Sequence, residues 1–312
     1  MTIDSVISRA IRWMLQQQYP DGSWRADFGF LAGISTSWST AYVINSIPKN
    51  CDKSAVKKAI QYLTQTSRPH TPYGGKAWGF NESTPVDLDS TLEALRALPL
   101  STQPTATPFL KLMRGDNGFA TYMEQDLKNL YPTNIGGWCS SHLEIATNIL
   151  LWVASSGQQT SGTNQLFFQA RKYVLEFTRA NGYRAYWYEH PLVAASFVLY
   201  ALGKLGCLLP SLPNLNRIDF EVLNNPFVTA CAIEAAYIWD KEFHKDIIHR
   251  LTQRLIDTQR PDGSWRPLPF LRVPYLDSLD PKITQHINGD FKRPIITVAR
   301  IIAALSLYKE RK

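Results

Sequence analysis

The fold class this sequence predicts is all-α, a chain of about six helical hairpins, and three observations predict it. Apolar residues recur three and four positions apart in successive paired segments, the spacing that puts them on one helix face. Within each pair the first segment carries charge along one face, while the second is rich in Ala, Ser, Thr and aliphatic residues. Alternation of apolar and polar residues with period two never lasts long enough to build a sheet.

In chain order, Val6 to Gln18 precedes Ser37 to Ile47, and Ser54 to Thr66 precedes Asp87 to Leu98. A weaker segment around Thr107 to Met123 precedes Ser141 to Ala154, and Gln165 to Thr178 precedes Leu192 to Leu205. A second weak segment, Leu215 to Leu223, precedes Phe227 to Ile238, and Lys245 to Thr258 precedes Ile295 to Leu307. Arg9 and Arg12, Lys57 and Lys58, Arg171 and Lys172, and Arg250 and Arg254 give the first members a wet face. The first member of each pair therefore reads as an outer helix and the second as an inner one.

Composition bounds the function. With 312 residues, 45% hydrophobic and 19% charged, the chain has the apolar material for one large core, so residues 1–312 read as a single domain and disorder is excluded. Nine Trp and fourteen each of Tyr and Phe supply rings to line an apolar site. The net charge of +7 is scattered without a basic block, so nucleic acid is not expected as a partner. Cys51, Cys139, Cys207 and Cys231 lie far apart and read as reduced thiols of a cytoplasmic protein. The longest apolar stretch, Ile145 to Ala154, is too short to span a bilayer. The run Leu205 to Pro213 is unusually apolar for a loop.

The outer segments carry an internal repeat. Gln18-Tyr19-Pro20-Asp21-Gly22-Ser23-Trp24 returns as Gln259-Arg260-Pro261-Asp262-Gly263-Ser264-Trp265 at the end of the last outer segment. Residues Ala170 to Gly182 keep the register without Gln or Trp, and Lys58 to Leu63 opens correctly before an insertion that delays Gly75 and Trp78. Pro-Asp-Gly makes a turn, and Gln with Trp can tie one hairpin to the next by a hydrogen bond and ring packing.

These offsets resemble the QW repeats of squalene-hopene and oxidosqualene cyclases, present in weaker form in protein prenyltransferase β subunits. The resemblance spans nearly the whole chain and implies an (α/α)6 toroid around a central cavity. The family's triterpene cyclases have two such domains, so this chain corresponds to one. It is expected to use its own central hole, to form a homodimer or to borrow a partner subunit.

The resemblance continues at Pro85-Val86-Asp87-Leu88-Asp89-Ser90-Thr91-Leu92-Glu93, where the cyclases carry Asp-x-Asp-Asp-Thr or Asp-Cys-Thr-Ala-Glu. It implies that Asp89 is the general acid that protonates an alkene or epoxide, with Asp87 beside it and Ser90 in place of a second Asp or Cys. Physical chemistry asks for an acid still protonated at neutral pH, because alkenes are very weak bases; burial and a nearby carboxylate, Asp87 or Glu93, would raise its pKa. The opposing reading is a capped helix start whose dipole holds both acids ionised.

A cationic intermediate needs walls that stabilise charge without donating a nucleophile, and aromatic faces do so. Trp38, Trp78, Phe80, Trp138, Trp187 and Tyr188 precede or open inner segments and are the candidates. The resemblance implies that His142 or His190 orients the Asp89 proton by a hydrogen bond, as a His does in the hopene cyclases, and that the apolar run Leu205 to Pro213 is a peripheral membrane contact at a substrate mouth, the alternative being a loop packed on its own barrel. Cys139 and His142 have metal-ligand spacing, but the Asp-x-Cys pair of the prenyltransferases is missing, so no metal and no cofactor are expected. The expected function is acid-initiated cyclisation of an apolar small-molecule polyene or prenylated substrate. Prenyl transfer, another reaction on a lipid or polyketide-like substrate, and a non-catalytic apolar-ligand-binding toroid are the alternatives.

Overall fold

The computed structural model describes residues 2–48, 51–102, 104–112, 114–116, 118–128, 130–131, 134–157, 160–211 and 224–310. Twelve α-helices lie among them: α1 (Ile3–Gln16), α2 (Ser37–Ser46), α3 (Lys53–Thr66), α4 (Leu88–Ala97), α5 (Thr107–Leu110), α6 (Glu124–Lys128), α7 (Leu143–Ser156), α8 (Ser161–Asn181), α9 (Pro191–Lys204), α10 (Pro226–Asp240), α11 (Lys245–Thr258) and α12 (Ile295–Glu310).

The inner helices α2, α4, α7, α9, α10 and α12 each pack on the next, and α12 returns to α2. That contact closes a ring of six. Their all-round apolar surfaces make this possible, because an inner helix must bury one face on each neighbour and another on an outer helix. The amphipathic outer helices pack back on the preceding inner one, α3 on α2, α8 on α7 and α11 on α10, while α1 packs on α12. The structure is thus an α/α toroid.

Hydrogen bonds at the repeated turns lock the outer layer. Gln18 Nε2 donates to Gly22 O (3.0 Å) and to Ala55 O of α3 (2.8 Å). Gln259 Nε2 donates to Gly263 O (2.9 Å) and to Val6 O of α1 (3.0 Å), so the last turn is tied to the first helix. The fully buried Trp24, Trp78 and Trp265 donate from Nε1 to Met14 O, Leu63 O and Leu255 O at 2.8, 2.8 and 2.7 Å. Gly22 and Gly263 adopt φ of +92° and +99°, and a Cβ there would fall 2.4 Å from Lys58 O and 2.5 Å from Arg9 O. Only glycine allows the turn to sit so close on the neighbouring helix.

Two expectations need correction. The segment Thr107 to Met123 forms only the four-residue α5, opened by Pro108 in its first turn, because Gly115 and Gly118 beyond it disfavour a longer helix. A small sheet exists: β1 (Leu271–Pro274) pairs antiparallel with β2 (Thr284–Asn288), Leu271 opposite Asn288. Its strands are too short for period two to register in the sequence. The weak segment Leu215 to Leu223 lies outside the described residues. The hairpin is stitched to the loop before α9 through Arg272 N to Trp187 O (2.9 Å) and Glu189 N to Phe270 O (3.0 Å). It thereby covers one end of the ring. No helix among the described residues is long and apolar enough to cross a membrane.

Candidate active site

Outer and inner helices alternate in direction, so the inner helices run parallel and their N-termini meet at one end of the toroid. A cavity of about 260 Å³ lies there, walled by the starts of α2, α4 and α7, the loop before α9 and the β1–β2 hairpin. Asp87, Asp89, Trp38, Phe80, Trp138, Trp187 and Tyr188, named from sequence, all line it.

Asp87 is the N-cap of α4, accepting Ser90 N–H (2.6 Å) and Ser90 Oγ–H (2.8 Å). Ser90 therefore bonds Asp87 rather than Asp89. Burial nevertheless pushes the Asp87 carboxyl up to about 7 against those two bonds. Asp89, in the first turn of α4, accepts Asn148 Nδ2–H at 2.5 Å through Oδ1. Burial lifts its pKa well above the usual carboxylate range, and Asp87, Glu93 and Glu144 lift it further against the Asn148 bond. Asn148 thus engages Oδ1 and not Oδ2. Asp87 caps this helix start, and Asp89 stands on the cavity wall with its carboxyl raised by burial.

The aromatic wall is held in place by partners. Trp138 meets Trp187 edge-on at 5.3 Å and stacks on Tyr122 at 5.4 Å. Trp187 Nε1 donates to Thr121 Oγ1 (2.8 Å), which bonds His142 Nδ1 (2.8 Å), and His142 Nε2 donates to Gly137 O (3.0 Å). Burial drops the His142 pKa to about 3, so the ring stays neutral and acts as a fixed link in this chain.

Four residues named from sequence stand elsewhere. Neither histidine bonds Asp89; His142 is spent on Thr121 and Gly137, and His190 Nδ1 accepts Leu192 N–H (3.2 Å) at the start of α9. Glu93 turns away from the cavity, bonded by Asn45 Nδ2 (2.9 Å) and paired with Arg96 (2.6 Å). Trp78 does not line the cavity: its indole is fully buried with N–H on Leu63 O, in the role of Trp24 and Trp265. The delayed repeat hid that role. The described part of the apolar run, residues 205–211, does not contribute to the cavity wall.

Sequence reasoning missed Glu144 and Asn148. Glu144 accepts Trp187 N–H (2.6 Å) through Oε1, its Oε2 is buried with no hydrogen-bond partner among the described residues, and burial raises its pKa. The two sit one turn apart in a mostly apolar inner helix, and that spacing of polar side chains was the available signal. Arg272 and His286 reach the cavity from the unforeseen hairpin.

Both ring nitrogens of His142 are committed, and burial pushes the Cys139 thiol up to about 11, away from the thiolate a metal needs. No cluster of three or more His, Cys, Asp or Glu able to hold a metal occurs among the described residues. Elemental analysis of purified protein is expected to give no stoichiometric zinc. A value near one per chain would reinstate Cys139 and His142 as ligands.

No family model matches the chain. Solved structures do. A protein from Actinoplanes superposes with a TM-score of 0.76 at 24% identity, over 99% of this chain and 100% of that one. The type II terpene cyclase MstE from Scytonema superposes with a TM-score of 0.75 at 18% identity, over 99% of both chains. A variant of MstE in complex with geranylgeranyl dihydroxybenzoate (substrate) gives 0.76 and 18%, over 99% of this chain and 98% of that one. The chain has a class II terpene-cyclase-like fold.

Proposed function

We propose that this protein is a class II terpene-cyclase-like enzyme in which Asp89 starts the cyclisation of an apolar polyene by protonating it. The observation that carries the reading is a carboxyl raised by burial well above its usual range on the wall of an apolar, ring-lined cavity, held by Asn148 and flanked by Asp87 and Glu144.

The chemistry follows from that arrangement. The proton leaves Asp89 Oδ2 for the less substituted carbon of a terminal alkene, whose π electrons form the new C–H bond. The adjacent carbon becomes cationic and is attacked by the next alkene, closing a ring and moving the charge along the chain. Burial keeps Asp89 protonated before the step, and the Asn148 N–H stabilises the carboxylate left after it. Trp38, Phe80, Trp138, Trp187 and Tyr188 present π faces to the travelling charge, which they stabilise without adding to it. Loss of a proton from the final cation ends the sequence, and a proton from solvent restores Asp89.

About 260 Å³ lies just under the roughly 300–1,000 Å³ of drug-sized ligand sites, which favours a short, compact polyene segment over a triterpene. The substrate complex of MstE makes polyprenylated hydroxybenzoates the first class to try, with farnesyl and geranyl chains beside geranylgeranyl.

The test is mass spectrometry of organic extracts after incubation with that panel. The expected product is isomeric with its substrate, of unchanged mass and shifted retention. Glu144→Gln is expected to lower turnover by about tenfold or less, since an amide keeps the bond to Trp187 N–H while removing one acidic neighbour. Turnover without isomerisation, such as loss of diphosphate from a prenyl donor, would replace this reading with prenyl transfer.

A further inference from the structure

The cavity around Asp89 has a mouth with its own chemistry. Leu31, Tyr131 and His286 line the cavity and are exposed, while Asp87 and Glu144 in the same wall are buried. A polyene whose terminal alkene reaches Asp89 therefore leaves its other end at this mouth, beside the β1–β2 hairpin. The charges on the wall decide what that end can be.

Among the described residues, three carboxyls line the cavity, on Asp87, Asp89 and Glu144, against one guanidinium, on Arg272. Arg272 is already occupied. Its Nη1 donates to Pro281 O (3.2 Å) and its Nη2 to Glu189 O (2.7 Å), its Nε stands 3.2 Å from Glu189 Oε2, and its charge also acts on Glu144. Other cations about the hairpin are paired or stand apart: Lys292 meets Asp27 (2.5 Å), Arg184 meets Asp280, and the exposed Lys282 is not part of the wall. An anion entering here gives up its hydration to rings and carboxyls and finds no uncommitted lysine or arginine, which is costly for a charge. Neutral polar groups fare better. β2 brings Gln285 and His286 to the wall, His286 opposite Val273 in the ladder, and neither side chain has a hydrogen-bond partner among the described residues. The half-buried Gln285 amide offers both donors and an acceptor, which suits a carbonyl, ether or hydroxyl oxygen.

We infer that the substrate carries an uncharged, oxygen-bearing head, such as an aryl ester or a phenol, seated at the mouth against Gln285, and that carboxylate and diphosphate heads are turned away. The inference rests on the cyclase reading above for which end of the molecule enters first. It narrows the prenylated hydroxybenzoates to their neutral members.

Titration calorimetry at pH 7 on Asp89→Asn protein, in which binding is read without turnover, compares methyl 3-geranyl-4-hydroxybenzoate, its free acid and geranyl diphosphate. The ester is expected to bind saturably, one to one, at least about tenfold more tightly than the acid, and the diphosphate not to bind. Gln285→Ala is expected to weaken the ester about threefold or more, the worth of one hydrogen bond. Gln285→Lys supplies the missing cation at a half-buried strand position, so it is expected to tighten the acid about tenfold or more and the ester not at all, with the melting temperature unchanged. Acid or diphosphate binding as tight as the ester, no saturable binding of the ester, ester affinity unmoved by Gln285→Ala, or an acid-to-ester ratio unmoved by Gln285→Lys overturns the inference. Mass spectrometry of the parent protein with both compounds keeps the two readings apart. Ester bound but not isomerised removes the cyclisation and keeps the neutral head, whereas acid bound and isomerised in preference removes the neutral head and keeps the cyclisation.

Discussion

Asp89→Asn is expected to lower turnover of a cyclised substrate at least about 10²-fold, the lower range for loss of a general acid, while leaving the fold intact. The amide preserves size and can still meet Asn148, yet it has no acidic proton to give. Stability then moves the other way, and the sign can be worked out. Asp89 is protonated in the native state well above the roughly 3.9 at which it ionises in an unfolded chain. As pH rises past about 4, the unfolded state releases a proton that the native state keeps, so this residue lowers stability progressively until the native pKa is reached. Below pH 4 both states hold the proton and the difference vanishes. Replacing Asp89 with Asn removes that pH-dependent cost. The variant is expected to melt higher than the parent at pH 7, with the gap closing towards pH 4. Asp87→Asn is expected to show a smaller gap that stops growing near pH 7, where Asp87 ionises in the folded state. Thermal melts across pH 4 to 8, paired with product assays, check both halves. An Asp89→Asn protein that turns over normally, or melts below its parent at pH 7, contradicts a neutral acid at this position.

Why the carboxylates at this helix start were legible and their setting was not comes down to sequence distance. Asp87, Ser90 and the helix start lie within one turn, so local spacing showed a cap and a candidate acid together. Asn148, which holds Asp89, is 59 positions away on a different inner helix. Only the order of packing around the ring brings α4 against α7, and no local pattern encodes that order. The histidines failed for a related reason. His142 opens the same helix that carries Glu144 and Asn148, but a cap position faces the loop, and its ring was claimed by Thr121 and Gly137.

The helical layers were legible because burial leaves opposite marks on them. An outer helix has one dry face and shows a strong helical period, whereas an inner helix is dry on nearly all sides and shows composition instead. The hairpin at Leu271–Pro274 and Thr284–Asn288 left neither mark. It is fixed by backbone bonds to the loop before α9 rather than by a strand pattern of its own, so Arg272 and His286 entered the cavity wall unannounced. Trp78 was misplaced for the converse reason: the insertion before Gly75 broke the spacing that identified Trp24 and Trp265 as scaffold.

The closing turn of the ring should carry the largest stability effect of any single position outside the cavity. Trp265 is fully buried and its indole N–H is satisfied by Leu255 O, so Trp265→Ala deletes a large packed ring and leaves that carbonyl short of a partner. A loss of about 3–5 kcal/mol is expected, the range for burying nothing where an aromatic stood. Gly263→Ala tests the same junction from the backbone side. A left-handed φ of +99° alone costs an alanine about 1–3 kcal/mol, and its Cβ would also drive into Arg9 O, forcing the last turn off the first helix. Because Gln259 reaches Val6 O across this contact, displacement there opens the seam where the chain's two ends meet. Trp239 provides the control: it is 36% exposed, belongs to no repeated turn, and its replacement by Ala is expected to cost under about 1 kcal/mol. Urea denaturation followed by circular dichroism measures all three. If Trp265→Ala and Gly263→Ala fall no further than Trp239→Ala, the seam does not hold the ring closed, and the stability of the toroid must reside in the inner helices alone.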